Sequence, residues 1–181
     1  MSAVLAALYG DELAVLSAER RAHSLAVGRK VLDAAQLVAP SLRADLVAAA
    51  VLHDIGYAHP ETDLHALDGA RYLARKGFSR GLCCLVVHHS ASTWEAEERG
   101  LDPAVFDDFQ TGLDLGAAHA VLWWADMTTG PAGDTVTVEE RLNEIICRYG
   151  PDDVVSRFIA RAHGVLVSAG QSPAGSIQVP C

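Results

Sequence analysis

The chain has no apolar run long enough to cross a bilayer. Its longest stretches, such as LVAAAVL and AVLWWA, fall far short of the roughly 20 residues a spanning helix needs, so no membrane partner is expected. It has no block of lysine or arginine either. With 14 basic against 23 acidic residues and a formal charge of −9, it is not a surface that gains by releasing the counterions of duplex nucleic acid. A small phosphorylated molecule stays open as a partner, because a bound metal or a few arginines outweigh the overall field at short range. Four cysteines are present, Cys83, Cys84, Cys147 and Cys181, and none forms a CxxC pair. The vicinal pair is a poor disulfide, so zinc-finger chemistry is excluded, and reduced thiols and a cytoplasmic setting are expected. The start, MSAVLAALYGDEL, lacks a basic segment and turns acidic at once, unlike a signal peptide.

Strand-like alternation is scarce, whereas alanine, leucine and valine recur at helical spacing. The expected class is all-α, a single helical bundle over residues 1–169 with a flexible tail at 170–181 that is too poor in large apolar residues to pack. A first long helix is predicted over 12–38, closed by Pro40. The next should start at Ser41, a good N-cap, and run to Gly56. Its middle is apolar all round, so it should be central and buried. Further helices are predicted in LHALDGARYLARK, in RGLCCLVVHH after a Ser79 cap, in STWEAEERG, and in GLDLGAAHAVLWWADMTT, which ends in the turn TTGPAGDTVT. Thr137 followed by Glu139 and Glu140 marks the start of the C-terminal helices at 137–169.

Polar residues interrupt these apolar helices: His23, His53, Asp54, His65, His88, His89, His119 and Asp126. A buried carboxylate such as Asp54 is costly unless a positive partner neutralises it. Imidazoles and carboxylates converging in a helical core suit a transition metal with nitrogen and oxygen ligands and no sulfur. Adjacent helical residues point about 100° apart. His53 and Asp54 can therefore share an ion only if it sits beside the last turn, and the same holds for His88 and His89.

The order His23, then His53-Asp54 in LHDIG, then Asp126 on a late helix resembles the HD-domain superfamily of metal-dependent phosphohydrolases, over a motif core of about 19–127. The resemblance implies that His23, His53, Asp54 and Asp126 bind a first divalent ion. HALDGA at His65 and VVHHS at His88-His89 resemble segments of members with two ions. By that likeness His65 and His88 hold the second ion, Asp54 bridges the two, and His89 is an extra ligand. The metals the donors suit are iron, manganese, cobalt, nickel or zinc.

The activity implied is hydrolysis of a small phosphomonoester, a nucleotide first of all, by water activated on the ions. Asp54 would be catalytic, with Arg20 or Arg21 gripping the phosphate and Arg141 a lesser candidate. Tyr57 stands where cyclic-dinucleotide phosphodiesterases carry lysine, and their GYP signature is missing, which disfavours that substrate. A mixed-valent di-iron oxygenase is the alternative, disfavoured by Ala22 where a polar substrate contact is usual. A non-catalytic nucleotide sensor is the third reading. His59 and His163 are expected to take no part, His119 to line or support the cleft from the core, Trp123 and Trp124 to pack in the core, and WEAEERGLD to form a solvated face or the rim of the entrance.

Overall fold

The computed structural model of the chain describes residues 2–171 and 173–174. Among these, all regular structure is helical, apart from one isolated bridge between Thr129 and Thr135. The helices are α1 Ser2–Leu8, α2 Gly10–Leu13, α3 Ala18–Ala34, α4 Arg43–Leu52, α5 His65–Arg75, α6 Arg80–Val87, α7 Ser92–Glu98, α8 Gly116–Met127, α9 Val138–Tyr149 and α10 Val154–Gln171. The all-α expectation is met. No helix is long and apolar enough to cross a membrane among the described residues. Most of the predicted loose tail lies outside them; the last helix itself runs through Gln171.

Helix α4 is the axis of the bundle. Six of its ten residues, Leu46 and Ala48–Leu52, are buried, as an apolar surface on every side requires. Around it pack α3, α6 and α8, while α5 lies on α6 and on the 3-10 turn Ile55–Ala58 that follows α4. Helix α10 closes the far side, against α7, α8 and α9. One hydrophobic cluster runs from Leu5 to Ala169, so the N- and C-terminal helices share a core.

Capping residues place several ends where the sequence suggested. The Ser79 hydroxyl accepts from the Leu82 N–H at 3.1 Å and starts α6. Thr137 and Glu140 form a reciprocal capping box at the head of α9, satisfying two backbone donors that the first turn leaves over. Two boundaries differ. The predicted helix over 12–38 is broken: α2 ends at Leu13, and α3 begins at Ala18 because the Ser17 hydroxyl accepts from the Arg20 N–H at 3.2 Å. Ser41 caps nothing; Pro40 opens a 3-10 turn, Pro40–Leu42, and α4 starts at Arg43.

Two glycines set how closely α5 approaches the end of α4. A Cβ on Gly56 would lie 1.9 Å from the His65 carbonyl oxygen and 2.6 Å from the Gly69 nitrogen. Backbone meets backbone there, and no side chain fits between.

Candidate metal centre

Four elements deliver histidines to one place. His23 sits mid-way along α3, His53 caps the C-terminus of α4, His65 opens α5, and His89 follows α6. Asp54 comes with the turn after α4, and Asp126 with the last turn of α8. All but His65 are buried.

Three of the four rings are held the same way. Their Nδ1 atoms face backbone carbonyls: His23 toward Gly130 at 3.1 Å, His53 toward Ala50 at 2.9 Å and His89 toward Val86 at 2.6 Å. A carbonyl only accepts, so each Nδ1 carries the hydrogen and, in the neutral ring, Nε2 is left with a bare lone pair. This is the tether that orients metal-binding imidazoles.

Those lone pairs converge on acceptors. His23 Nε2 lies 3.1 Å from Asp126 Oδ1. His53 Nε2 lies 3.6 Å from Asp54 Oδ1 and 3.7 Å from Asp126 Oδ1, too far for a hydrogen bond, and it is buried without a hydrogen-bond partner among the described residues. His65 Nε2 is 3.1 Å from His89 Nε2 and 3.7 Å from Asp54 Oδ1. Electron pairs facing each other at such distances call for positive charge between them, and a divalent cation suits this nitrogen and oxygen set.

Two groups of donors lie within 4.8 Å of one another, His23, His53 and Asp126, and His53, Asp54 and His89. His53 belongs to both. Either group could hold an ion, and His65 stands beside the second.

Titration tells the same story of a place built for positive charge. Burial by itself would raise the Asp54 and Asp126 carboxyls and lower His53. Instead, His53 and Arg20 hold Asp54 well below the usual carboxylate range, and hydrogen bonding to His23 does the same for Asp126. The two carboxylates, Asp54 first, raise His53 to about 9. His65 and His89 are lowered by burial and by their imidazole neighbours, and so are kept in the neutral, ligating form.

His88 is elsewhere. Its ring lies against Phe106 at 5.3 Å and edge-on to His119 at 6.1 Å, with Nδ1 buried and unpartnered among the described residues. The structure therefore brings His89, and not the expected His88, up beside His65, since consecutive residues at a helix end point in different directions. The backbone at His88 is pinned as well, because the Trp123 Nε1–H donates to its carbonyl at 3.0 Å. His119 belongs to this second pair and packs in the core.

Arg20 and Arg21 also part company. Arg20 Nη1 donates to Asp54 Oδ2 at 2.8 Å and lines the cavity over the histidines; Arg21, one position on, is exposed and lines nothing there. Tyr57 explains how Arg20 is held: the guanidinium lies 3.2 Å from the centre of the Tyr57 ring, whose other face stacks on His65 at 4.3 Å. Cation, phenol and imidazole form one stack.

Three residues have supporting roles that escaped the sequence reading. Tyr57 is one. Ser90 is another, its hydroxyl donating to Asp126 Oδ2 at 2.5 Å from a backbone with φ of 49°; no spacing rule flags a serine beside a histidine pair. Asp68, inside the HALDGA segment, accepts from the Glu61 and Thr62 N–H groups at 2.9 and 3.0 Å and so secures the loop that leads into His65.

The remaining expectations sort plainly. His59 stacks on Tyr72 at 3.8 Å, and His163 pairs with Glu139 on the surface at 3.1 Å. Trp123 is buried and Trp124 half-buried. In the charged α7 segment Glu95 is buried and bonded to Arg99 at 2.6 Å, and both line the cavity, so the segment is a rim and not merely a solvated face.

A family model described as HD domain matches residues 20–148, more than half of the chain. The chain belongs to the HD-domain family. The match extends beyond the motif core of about 19–127 to take in nearly all of α9. Members of the HD-domain family are commonly metal-dependent phosphohydrolases, and this HD domain carries the histidine and aspartate groups that could hold such a metal. No curated protein and no solved structure matches the chain.

Proposed function

We propose that this HD domain is a metal-dependent phosphohydrolase acting on a small phosphomonoester, nucleoside phosphates being the first class to try. The observation that carries this reading is the set of three imidazoles whose Nδ1–H groups face backbone carbonyls and whose Nε2 atoms converge on Asp54 and Asp126. His23, His53, Asp54 and Asp126 would hold one ion, with His65 and His89 joining Asp54 for a second. A divalent ion bound there supplies an activated water near neutral pH and offsets charge on the phosphoryl oxygens.

The chain's own groups do the positioning. Arg20 stands at the mouth of the cluster with one nitrogen committed to Asp54, which leaves the rest of its fork to receive a phosphoryl oxygen. Ser90 fixes which carboxylate oxygen of Asp126 faces inward. Asp54 and Asp126 stay ionised at any working pH, so neither serves as the proton donor; the leaving alkoxide takes its proton from solvent or from a neighbour in the open cavity.

The test is phosphate release from a nucleotide panel with added manganese, run beside oxygen uptake with ferrous iron. Release that persists without oxygen and vanishes in His53→Ala supports the proposal. Oxygen uptake with no phosphate released overturns it in favour of an oxygenase, and neither activity with intact nucleotide binding makes the protein a sensor.

A further inference from the structure

The cavity over the candidate metal centre measures about 390 Å³ and is much longer than the ion cluster needs. One end is Arg20, Asp54, His65, His89 and Asp126; from there it runs between α8, α9 and α10 along Met127, Leu142, Ile145, Phe158 and Ile159. Such a space fits a ligand with a polar head and an apolar body. Beside Leu142 in this lining stands Arg141, the lesser phosphate candidate of the sequence, only 5% exposed and paired with none of the metal-centre residues.

The guanidinium of Arg141 is incompletely used. Nη1 donates to Glu144 Oε2 at 2.6 Å, but Nε is buried with no partner among the described residues. Nor does Nη2 bond to any of them, so two of the three guanidinium nitrogens are unspent. A buried donor left unsatisfied is costly in a folded chain and asks for a reason. Charge is unbalanced in the same direction: Glu144 is shared with Arg148, whose Nε lies 3.5 Å from its other oxygen, so two guanidiniums have one carboxylate between them. The other cationic groups lining the cavity are spoken for, Arg20 by Asp54 and Arg99 by Glu95. The carboxylate of Asp153, which also lines the cavity, accepts from the Val155 N–H at 2.8 Å and makes no ion pair with either arginine.

We propose that Arg141, backed by Arg148, is a second anion-recognition pole of the cavity, and that the substrate is a phosphomonoester bearing a further anionic group, a carboxylate or second phosphate, at the end remote from the reacting phosphoryl group. This rests on the phosphohydrolase reading only for which end is hydrolysed; recognition at Arg141 is a binding property and is measurable without turnover.

The probes are two families of non-hydrolysable phosphonates in matched, graded chain lengths: linear alkylphosphonic acids, and the same chains ending in a carboxylate. Calorimetric titration into manganese-loaded protein should show the carboxylate-terminated member binding about ten-fold or more tightly at the best length, the range of a charge-assisted hydrogen bond. In Arg141→Gln that preference should collapse to within about two-fold, while affinity for the plain alkylphosphonate holds. Arg141→Lys, which keeps the charge and loses the fork, should fall between. Equal affinity of the two families for the wild-type protein at every length overturns the proposal without any variant, so a misfolded Arg141→Gln cannot shield it; so does a preference that survives in a folded Arg141→Gln. Discrimination that is intact while no phosphoester is hydrolysed would sink the hydrolase reading and leave the anion pole standing.

Discussion

Two groups of histidines, all buried but His65, lie side by side in this bundle, and the chain passes from one to the other in a single residue step. His89 joins His23, His53 and His65 beside two carboxylates; His88 joins His119 beside Phe106. In the first group carboxylates compensate the cost of burying a ring that can carry charge, and the rings at 23, 53 and 89 are tethered through Nδ1. In the second no carboxylate compensates: burial pushes His88 down to about 4, and burial together with the neighbouring His88 and His89 pushes His119 to about 3, and the Nδ1 atoms have no partner among the described residues. Burial of histidine is therefore no sign of a site. What distinguishes the centre is the tether behind three of its four rings and the acid in front of them.

The largest contrast between the two groups should come from the residue common to both donor sets. Replacing His53 by alanine should reduce metal content by elemental analysis to background and abolish phosphate release, a loss beyond the about ten- to hundred-fold that removing a supporting residue costs. His119→Leu should leave metal content unchanged. Next comes the adjacent pair. His89→Ala should lower the number of ions bound, whereas His88→Ala should keep them and instead lose about 2 kcal/mol or more of stability in urea, as a truncation facing a core aromatic does. Metal lost from the position-88 variant and kept in the position-89 variant would reverse the assignment.

Acid separates the groups next. Because His119 has its pKa lowered from 6.5 to about 3, the unfolded chain takes up a proton below 6.5 that the folded one refuses. Stability of the metal-free protein should fall as pH drops through that window and level off below it, on the order of 5 kcal/mol for the whole span. His119→Leu, measured in chelator by urea unfolding at successive pH values, should flatten that decline; an unchanged slope would mean the ring is not held neutral by burial. The smallest effect is expected at Ser90→Ala, which removes the donor to Asp126 and should weaken metal binding by about ten-fold with the helical circular dichroism intact.

How far these distinctions could be read in advance depended on what kind of pattern carried them. Helical periodicity and the caps at Ser79 and Thr137 are local, and they located α6 and α9 correctly. The break before α3 was missed because Ser17 sits in a stretch whose apolar spacing continues across it, and a single hydroxyl decides the matter. His23, His53, Asp54, His65 and Asp126 were legible as a set through the likeness to HD domains, since polar residues standing out in apolar helices pointed to His88 and His119 as well. The choice between His88 and His89 was not, because direction at a helix end depends on the turn after it, where Ser90 and Ala91 both have positive φ. Arg20 was separable from Arg21 only once Tyr57 was seen stacked beneath it.

The contact of Gly56 with the first turn of α5 ties the geometry of coordination to the thickness of one peptide plane. An added methyl at position 56 would press on the His65 carbonyl and swing that imidazole outward, away from Asp54. A Gly56→Ala protein would thus melt at a markedly lower temperature and, where it still folds, show an altered ligand field in the optical spectrum of a cobalt-substituted sample.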